Sequence, residues 1–440
     1  MRPRWKVDAT FSLWHLESMG TLFMLPIRRR LCRSPTLGLL AAAWLTVAAI
    51  GPTVAAAPAA APAAVPLPAP TPRPAPAAAP VDNEEDDSPQ LVPPAQLTRD
   101  TLKLTSLIYD RLAETRGNVA FAPFDVAQCL GLAAAGAQGE VLAAIRQAMQ
   151  WQVAAADLPL GFHDVSMELR QNAGFALGAA AMHKYPLPFS EFFKVETLSS
   201  AAAIAPWIAG KTTSELLRGD VFKGSGSALL TSTTFQANWG GDQRNVGRER
   251  SYKTRTGARI NTRTLNTTAR LRYVETRQFQ VVELIYQKSH LSLVILLPRG
   301  DDISLTTAPS ADALREMMAQ LEPTKLKISL PVFTVHVTYD LTSVLAALHM
   351  APALSPRAEL TGWGPAGRGL KMQSLVQRVH IGVDEHSTSF DAVTMLRLQE
   401  TQPKIVPNHP GKLLERPFLF LLRDTIWGLP LAFGRVEATP

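Results

Sequence analysis

Residues 379–394 are Val-His-Ile-Gly-Val-Asp-Glu-His-Ser-Thr-Ser-Phe-Asp-Ala-Val-Thr, and the interpretation of the whole chain starts from this stretch. Val379–Val383 alternates as a strand does, and the acidic pair Asp384-Glu385 follows it directly. His386–Glu415 then shows little helix or strand periodicity and contains three prolines. Roughly 30 irregular residues between buried strands are unusual in a compact domain, where long connections tend to be functional. The alternative is an ordinary surface insertion.

Two apolar strands follow this segment, one with Arg416-Pro417-Phe418-Leu419-Phe420 and the other with Phe433-Gly434-Arg435-Val436. Together with the acidic hinge Val383-Asp384-Glu385, these motifs resemble the C-terminal end of the serpin family. The resemblance implies an α+β fold in which helices pack around a large mixed central β-sheet. It also implies an exposed C-terminal reactive loop at about residues 386–415, which a serine protease would attack.

Further motifs similar to those of serpins occur in the family's order along residues 97–440. They are Asn118–Phe124 before a buried helix, the hairpin that starts at Phe279, Tyr339-Asp340-Leu341 before a helix, and Ala358–Gly362. The segment Ile204–Leu217 resembles the helix that lies across the front of the serpin sheet. Two positions near the point where that sheet opens are serines in the family, and they are Ala122 and Asp125 here. These two departures put loop insertion in question.

The N-terminal part of the chain has the pattern of a secretion signal followed by a linker. Arg28-Arg29-Arg30 precede the apolar run Leu37–Ile50, and small residues come next, which is the order of a cleavable signal peptide. A transmembrane anchor is the alternative, but this Ala-rich run is short for a bilayer. We therefore predict secretion, with the start codon open between Met1, Met19 and Met24. The predicted divisions are an N-terminal extension and signal peptide at 1–56, an Ala/Pro-rich disordered linker with an acidic patch at 57–95, and the folded domain at 96–440.

The chain is basic, and its basic residues are concentrated in one segment. Among 440 residues, 44 are Lys or Arg and 37 are Asp or Glu, which gives a net charge of +7. The segment Arg244–Arg272 holds nine Lys or Arg residues against one Glu. Such a run is either a solvated sheet face or a site for a polyanion such as a glycosaminoglycan, and we expect no nucleic-acid partner. The candidate polyanion contacts are Arg244, Arg248, Arg250, Lys253 and Arg255.

Two cysteines and one sequon bear on the secretory prediction. Cys32 lies in the signal region, so Cys129 remains as the single thiol of the mature chain and no intramolecular disulfide is expected. The apolar surroundings of Cys129 predict a buried, structural thiol. Asn266-Thr267-Thr268 is a glycosylation sequon, which predicts a surface loop in a secreted protein.

No catalytic or metal-binding motif is evident. The chain lacks the Gly-x-Ser-x-Gly motif of serine hydrolases and the His-Glu-x-x-His or paired-cysteine motifs of zinc sites. His380 and His386 flank the hinge and are interpreted as structural. We therefore expect no enzyme activity, no metal and no cofactor.

The resemblance implies that the N-terminal part of the loop inserts into the main sheet after a protease has been acylated. The hinge residues concerned are Glu385, Ser387, Thr388, Phe390, Ala392 and Thr394. Insertion needs small side chains at alternate, buried positions, and Phe390 is large for its place, with an expected cost of about 1–3 kcal/mol of overpacking. Asp391 falls on the outward face and is expected to cost little. Ser387 stands where the family has glycine, which removes torsional freedom at the hinge.

Family spacing from Glu385 places the scissile bond near Thr401-Gln402 or at Lys404-Ile405, and Lys404 would suit a trypsin-like protease. Two functions stay open. The first is a secreted, monomeric inhibitor or suicide substrate of a serine protease, acting through Thr401–Ile405. The second is a non-inhibitory serpin-fold protein that binds a protein or glycosaminoglycan ligand, which the altered hinge together with Ala122 and Asp125 favours.

Overall fold

The computed structural model describes residues 93–114, 117–182, 190–214, 226–240, 246–253, 259–300, 304–355, 360–361, 370–399 and 417–437. The helices within these ranges are α1 (Pro93–Leu112), α2 (Pro123–Ala135), α3 (Gly139–Ala148), α4 (Leu158–Leu169), α5 (Ser190–Phe193), α6 (Ile204–Lys211), α7 (Ala311–Ala319), α8 (Thr342–Leu345) and α9 (Ala351–Leu354). Helix α1 starts at Pro93, three residues before the predicted boundary at 96. The predicted signal region lies outside the described residues. None of the helices in these ranges combines the length and apolar character needed to cross a bilayer.

The strands form two sheets. They are β1 (Val119–Phe121), β2 (Phe175–Met182), β3 (Val195–Thr197), β4 (Ser227–Asn238), β5 (Val246–Lys253), β6 (Arg259–Glu275), β7 (Phe279–Ile285), β8 (Leu291–Pro298), β9 (Glu322–Pro331), β10 (Phe333–Asp340), β11 (Lys371–Val383), β12 (Ser387–Gln399), β13 (Phe418–Asp424) and β14 (Pro430–Val436). An eight-stranded sheet has the order β1-β14-β13-β8-β7-β6-β5, with β9 paired to β6. A six-stranded sheet has the order β10-β11-β12-β4-β2-β3. Its β2–β3 pair is parallel and the others are antiparallel, so the predicted mixed sheet with surrounding helices is confirmed.

The C-terminal motifs lie in the centre of the core, as the resemblance implies. Phe418 and Phe420 on β13 are buried and both contact the ring of Phe333, with ring centroids 5.5 and 5.8 Å away. On the neighbouring β14, Phe433 packs edge-to-face on Tyr109 of α1 at 5.1 Å. Such aromatic pairs bury large apolar areas, so this part of the chain anchors the eight-stranded sheet to the helices.

Strand β12 corrects the expectation of an exposed loop. It lies between β11 and β4 and is antiparallel to both, with pairs running from Ser387 opposite Asn238 to Leu398 opposite Ser227. The alternation that marks the hinge continues to Leu396 and Leu398, which are also buried, so the segment has one complete core-facing side. Residues 387–399 are therefore a central strand, and residues 400–415 of the predicted loop lie outside the described residues.

Helices cover the two faces of the six-stranded sheet. Helix α2 is buried along almost its whole length and packs against β4 and β12 on one face. Helix α6 lies on the other face, where Trp207 and Ile208 pack against Leu230 of β4 and Met395 of β12. The residues of β12 therefore point alternately toward α2 and toward α6.

Candidate functional site

The turn that joins β11 to β12 is held by Asp384. Its Oδ1 accepts hydrogen bonds from the backbone N–H groups of His386 and Ser387, both at 2.7 Å. On the outside of the turn, Trp239 donates its Nε1–H to the Asp384 carbonyl and its backbone N–H to the His386 carbonyl, each at 3.0 Å. Ser387 does not have a positive φ, so serine fits at a position where the family has glycine.

Glu385 fastens this turn to the eight-stranded sheet. The residue is 2% exposed, and its Oε1 accepts hydrogen bonds from Arg263 Nε at 2.9 Å and Nη2 at 2.7 Å. A Cβ at Gly247 would lie 2.6 Å from the same oxygen, so glycine on β5 leaves room for the carboxylate. The ion pair thus joins the start of β12 to β6.

The inner face of β12 is packed as its alternation predicts. The residues buried there are Thr388, Phe390, Ala392 and Thr394. Phe390, which is expected to be large for this face, is fully buried on it. Its neighbours across the strands are Ile381 and Phe235, and Ala392, two residues farther along, is small. The bulk of one ring is therefore offset by a small neighbour, and Phe390 belongs to the main hydrophobic core.

A buried carboxylate lies beneath this face. Asp125, in the first turn of α2, accepts a hydrogen bond at Oδ2 from Thr394 Oγ1 at 2.6 Å and one at Oδ1 from Thr233 Oγ1 at 3.2 Å. Burial raises the pKa of Asp125 to about 7, and the bonds from Thr394 and Thr233 oppose that rise. Asp125 therefore connects α2 with both β4 and β12.

Gln377 on β11 completes this polar cluster. Its Nε2 donates to Thr394 Oγ1 at 2.8 Å and to the Ala122 carbonyl at 3.0 Å, and its Oε1 accepts from the Ala122 N–H at 2.9 Å. Of the two departures from the family pattern, Asp125 bonds Thr394 with its side chain, whereas Ala122 bonds Gln377 through backbone groups that any residue would present. Sequence reasoning missed Gln377, although a polar residue on the buried parity of an apolar strand was a visible signal.

The outer face of β12 carries Asp391, which is fully buried rather than solvent-facing. Its Oδ1 accepts a hydrogen bond from the Thr213 N–H at 3.0 Å. Its Oδ2 accepts from Thr213 Oγ1 at 2.7 Å and from the Ser214 N–H at 3.2 Å. Asp391 lies on the face that its parity predicts, and it is buried there because the segment after α6 covers this part of the sheet.

His380 stands directly opposite Asp391 on one side and His336 on the other, and the two imidazole centroids are 6.3 Å apart. Burial lowers the pKa of both rings; nearby His380 and Arg378 lower that of His336 further, whereas Asp391 raises that of His380. Across the described ranges, no group of three or more His, Cys, Asp or Glu side chains could hold a metal ion.

Most of the remaining predicted residues lie outside the described residues, and Cys129 lies within them. The reactive-site candidates Thr401, Gln402, Lys404 and Ile405 lie outside the described residues, as do Arg244 and Arg255 and the side chain of Lys253. Cys129 is a buried free thiol, as predicted, and burial raises its pKa.

Asn266 lies within β6, paired on both sides by β5 and β9, so the expected surface loop is wrong. Its Nδ2 donates to the Thr264 carbonyl at 2.9 Å, and its Oδ1 accepts from Arg250 Nε at 2.8 Å. Glycosylation at this residue stays a prediction.

Exposed cations share one face of β5, β6 and β9. Arg270 and Lys325 are directly opposite each other in the β6–β9 pair, and Lys327 is opposite Thr268 on the same face. Arg248 and Arg250 are exposed on β5, where they pair with Thr264 and Thr262. Like charges directly opposite each other in a sheet are destabilising, so this face is a candidate anion site.

Comparison with known proteins agrees with this architecture. The family model described as Serpin (serine protease inhibitor) matches residues 100–439. An uncharacterised serpin-like protein of Thermococcus kodakarensis is 24% identical over 363 residues, which are 75% of this chain and 82% of the relative. The structure of a thermophilic serpin, tengpin, in the latent state superposes with a TM-score of 0.67 at 21% identity, covering 78% of this chain and 98% of that one. A loop-inserted structure of a cleaved ovalbumin mutant also gives 0.67, at 17% identity, with 78% and 100% covered.

Proposed function

This chain belongs to the serpin family, and from that premise we propose that it is a suicide substrate of a serine protease, attacked in the loop segment Thr401–Ile405. The family is described as one of serine protease inhibitors, which are not themselves catalysts. The protease is proposed to be trypsin-like because Lys404 lies in this segment.

The observation that carries this proposal is that residues 387–399 fit between β11 and β4 as a strand of the six-stranded sheet. Strand β12 is hydrogen-bonded to a neighbour on each edge, and its pairing with β4 runs without a register shift. The side chains on its inner face are buried in the core or bonded to Asp125 and Gln377. Two similar solved structures are described as latent and loop-inserted, which agrees with a strand at this place.

In the proposed reaction, the protease serine attacks the scissile carbonyl, the C-terminal fragment leaves as an amine, and residues up to the scissile bond stay ester-linked to the protease. Insertion of β12 then carries the protease along the sheet. At about 3.3 Å per residue, such a strand spans roughly 40 Å. Burial of an apolar side chain such as Phe390 or Leu396 contributes about 1.5–3 kcal/mol each, so Phe390 favours insertion once it is seated. Insertion must outrun hydrolysis of the ester.

The experiment is a gel assay for a complex that survives SDS after incubation with trypsin, plasminogen activator or thrombin. Mass spectrometry of the released fragment locates the cleaved bond. Thr388→Arg places a charge on the fully buried inner face, whereas Ser389→Arg, one residue later on the other face, is the matched control. We expect wild type and S389R to form the complex and T388R to be cleaved without it. Cleavage of wild type without a complex by every protease tried would contradict the proposal.

A second function is favoured by the face that carries Arg248, Arg250, Arg270, Lys325 and Lys327. We propose that this face binds a sulfated polyanion, since such a ligand relieves the repulsion between neighbouring cations. A heparin column tests it. Arg270→Ala combined with Lys325→Ala should lower the salt concentration of elution, whereas Arg277→Ala, an exposed arginine outside this face, should not. Equal elution of both variants would reject the site.

We also propose secretion, on the order of basic, apolar and small residues within 1–56. N-terminal sequencing of the protein from the culture medium of expressing cells tests this directly. We expect a first residue near 57. Recovery of the protein only inside the cells, with Leu37–Ile50 still attached, would contradict it.

A further inference from the structure

Asp391 is the one acidic side chain of β12, and it accepts hydrogen bonds from a specific set of donors, which we call its receptor. The receptor consists of the Thr213 N–H, the Thr213 hydroxyl and the Ser214 N–H, at 3.0, 2.7 and 3.2 Å from the two carboxylate oxygens. Both oxygens are therefore satisfied by donors, although Asp391 is fully buried. A buried carboxylate without such donors would be strongly unfavourable.

The receptor is held in place independently of β12. Thr212 donates its Oγ1–H to the Ile208 carbonyl at 2.9 Å, which fixes the end of α6. Thr234 of β4 donates its hydroxyl to the Lys211 carbonyl at 2.5 Å, and Lys211 Nζ pairs with Glu196 Oε1 of β3 at 2.5 Å. The amides of residues 213 and 214 are thus presented to the sheet by α6, β3 and β4, none of which belongs to the loop.

The receptor favours one register of the inserted strand over the others. A slip of two residues would place Ser389 or Val393 opposite it, and neither carries a carboxylate. A slip of one residue would turn Asp391 to the inner face, at the position of Phe390 or Ala392 in the main hydrophobic core, where burying a carboxylate is unfavourable. Only the observed register brings Asp391 to its donors and Thr394 to Asp125 together.

We propose that Asp391 is a positioning residue, which clasps the inserted strand to the Thr213–Ser214 segment after α6 and so fixes the register in which the strand comes to rest. This inference rests on the proposed function, because β12 is taken to be the inserted part of the reactive loop. Val393 and Met395, on the same face of β12 as Asp391, pack in one apolar cluster with residues of α6. The clasp acts after acylation, so it alters the outcome of the reaction and leaves the first attack of the protease unchanged.

The experiment compares Asp391→Ala with wild type and with Ser389→Ala, a matched change on the same face of β12. Two quantities are measured with the protease that forms a complex: the rate of initial cleavage, and the number of molecules consumed for each protease trapped. We expect D391A to keep the cleavage rate and to raise the number consumed about tenfold, the effect of losing a charge-assisted hydrogen-bond set. S389A should behave as wild type, and Thr213→Val, which removes one donor from the receptor side, should raise the number to a smaller extent.

A second measurement does not depend on trapping. The chain is nicked by limited proteolysis within residues 400–416, and hydrogen exchange of the Thr213 and Ser214 amides is followed. We expect protection in wild type and S389A, and exchange about tenfold faster in D391A. Equal protection in D391A and wild type would overturn the clasp. If no protease is trapped but protection depends on Asp391, the proposed function fails and the clasp stands.

Discussion

The carboxyl of Asp125 should make the stability of the inserted form depend on pH, and Asp125→Asn should remove that dependence. Its pKa is about 7 in this structure against an ordinary value of 3.8 in an unfolded chain, because burial disfavours the charged form. The folded state therefore holds the proton more tightly. The contribution of Asp125 to stability is complete below pH 3.8 and is lost as the pH rises through about 7. At about 1.4 kcal/mol per pH unit, the total loss is about 4 kcal/mol.

The assay is guanidinium unfolding of the inserted form from about pH 4 to about pH 8, with the free energy of unfolding compared between variants at each pH. The difference D125N minus wild type isolates this carboxyl from the titrating groups that it does not affect. The pKa of Cys129 is raised by burial and by Asp125, so this thiol stays protonated in this pH range and adds nothing to the difference. The difference in the free energy of unfolding should grow in favour of D125N by several kcal/mol toward pH 7 and then level off. Thr394→Val, which removes the 2.6 Å donor, should shift the wild-type loss to higher pH. Parallel profiles for D125N and wild type would refute the reasoning.

Three further changes test the packing around β12. Phe390→Ala should destabilise the inserted form by about 3–5 kcal/mol in denaturant unfolding, because it empties a fully buried position; a gain in stability would instead indicate overpacking. Arg263→Ala should lower the free energy of unfolding by about 1–2 kcal/mol, because it leaves the buried Glu385 without its cation. The loss is no larger because the Arg263 side chain is 67% exposed and screened by solvent. Arg248→Ala, on the exposed face of β5, is the control. Cys129 should stay unreactive toward a thiol reagent until the chain unfolds, because its thiol is fully buried, and rapid labelling of the native protein would contradict this packing.

The fold class was implied by the resemblance to serpins, and many of its elements show a local pattern. The strands around Phe418 and Phe433 were predicted because their motifs are contiguous, and α2 because its apolar run leaves no polar face. Insertion of this segment into the main sheet was expected only after acylation of a protease, and its position between β11 and β4 in this structure was not predicted, although Thr388, Phe390 and Ala392 alternate as a strand requires. Alternation shows which side chains face inward, but pairing with β4, some 160 residues earlier, depends on contacts between distant parts of the chain.

The same limit applies to the candidate site. Asp125 was recognised as a departure from the family, yet its partner Thr394 lies 269 residues away, so the sequence could not show that the two meet. The parity of Asp391 was predicted correctly, whereas its burial depends on where the segment after α6 crosses the sheet. Phe390 was judged by the volume usual at its position, and the small Ala392 beside it was left out of that estimate.

Strand β12, between β11 and β4, also limits how two molecules of this protein can associate through this sheet. Both edges of β12 are hydrogen-bonded along its length. A strand from a second molecule could therefore pair at this position only by displacing β12. Chain-to-chain linkage through the middle of this sheet is therefore closed to molecules in this conformation. Gentle heating should therefore not link such molecules through this part of the sheet.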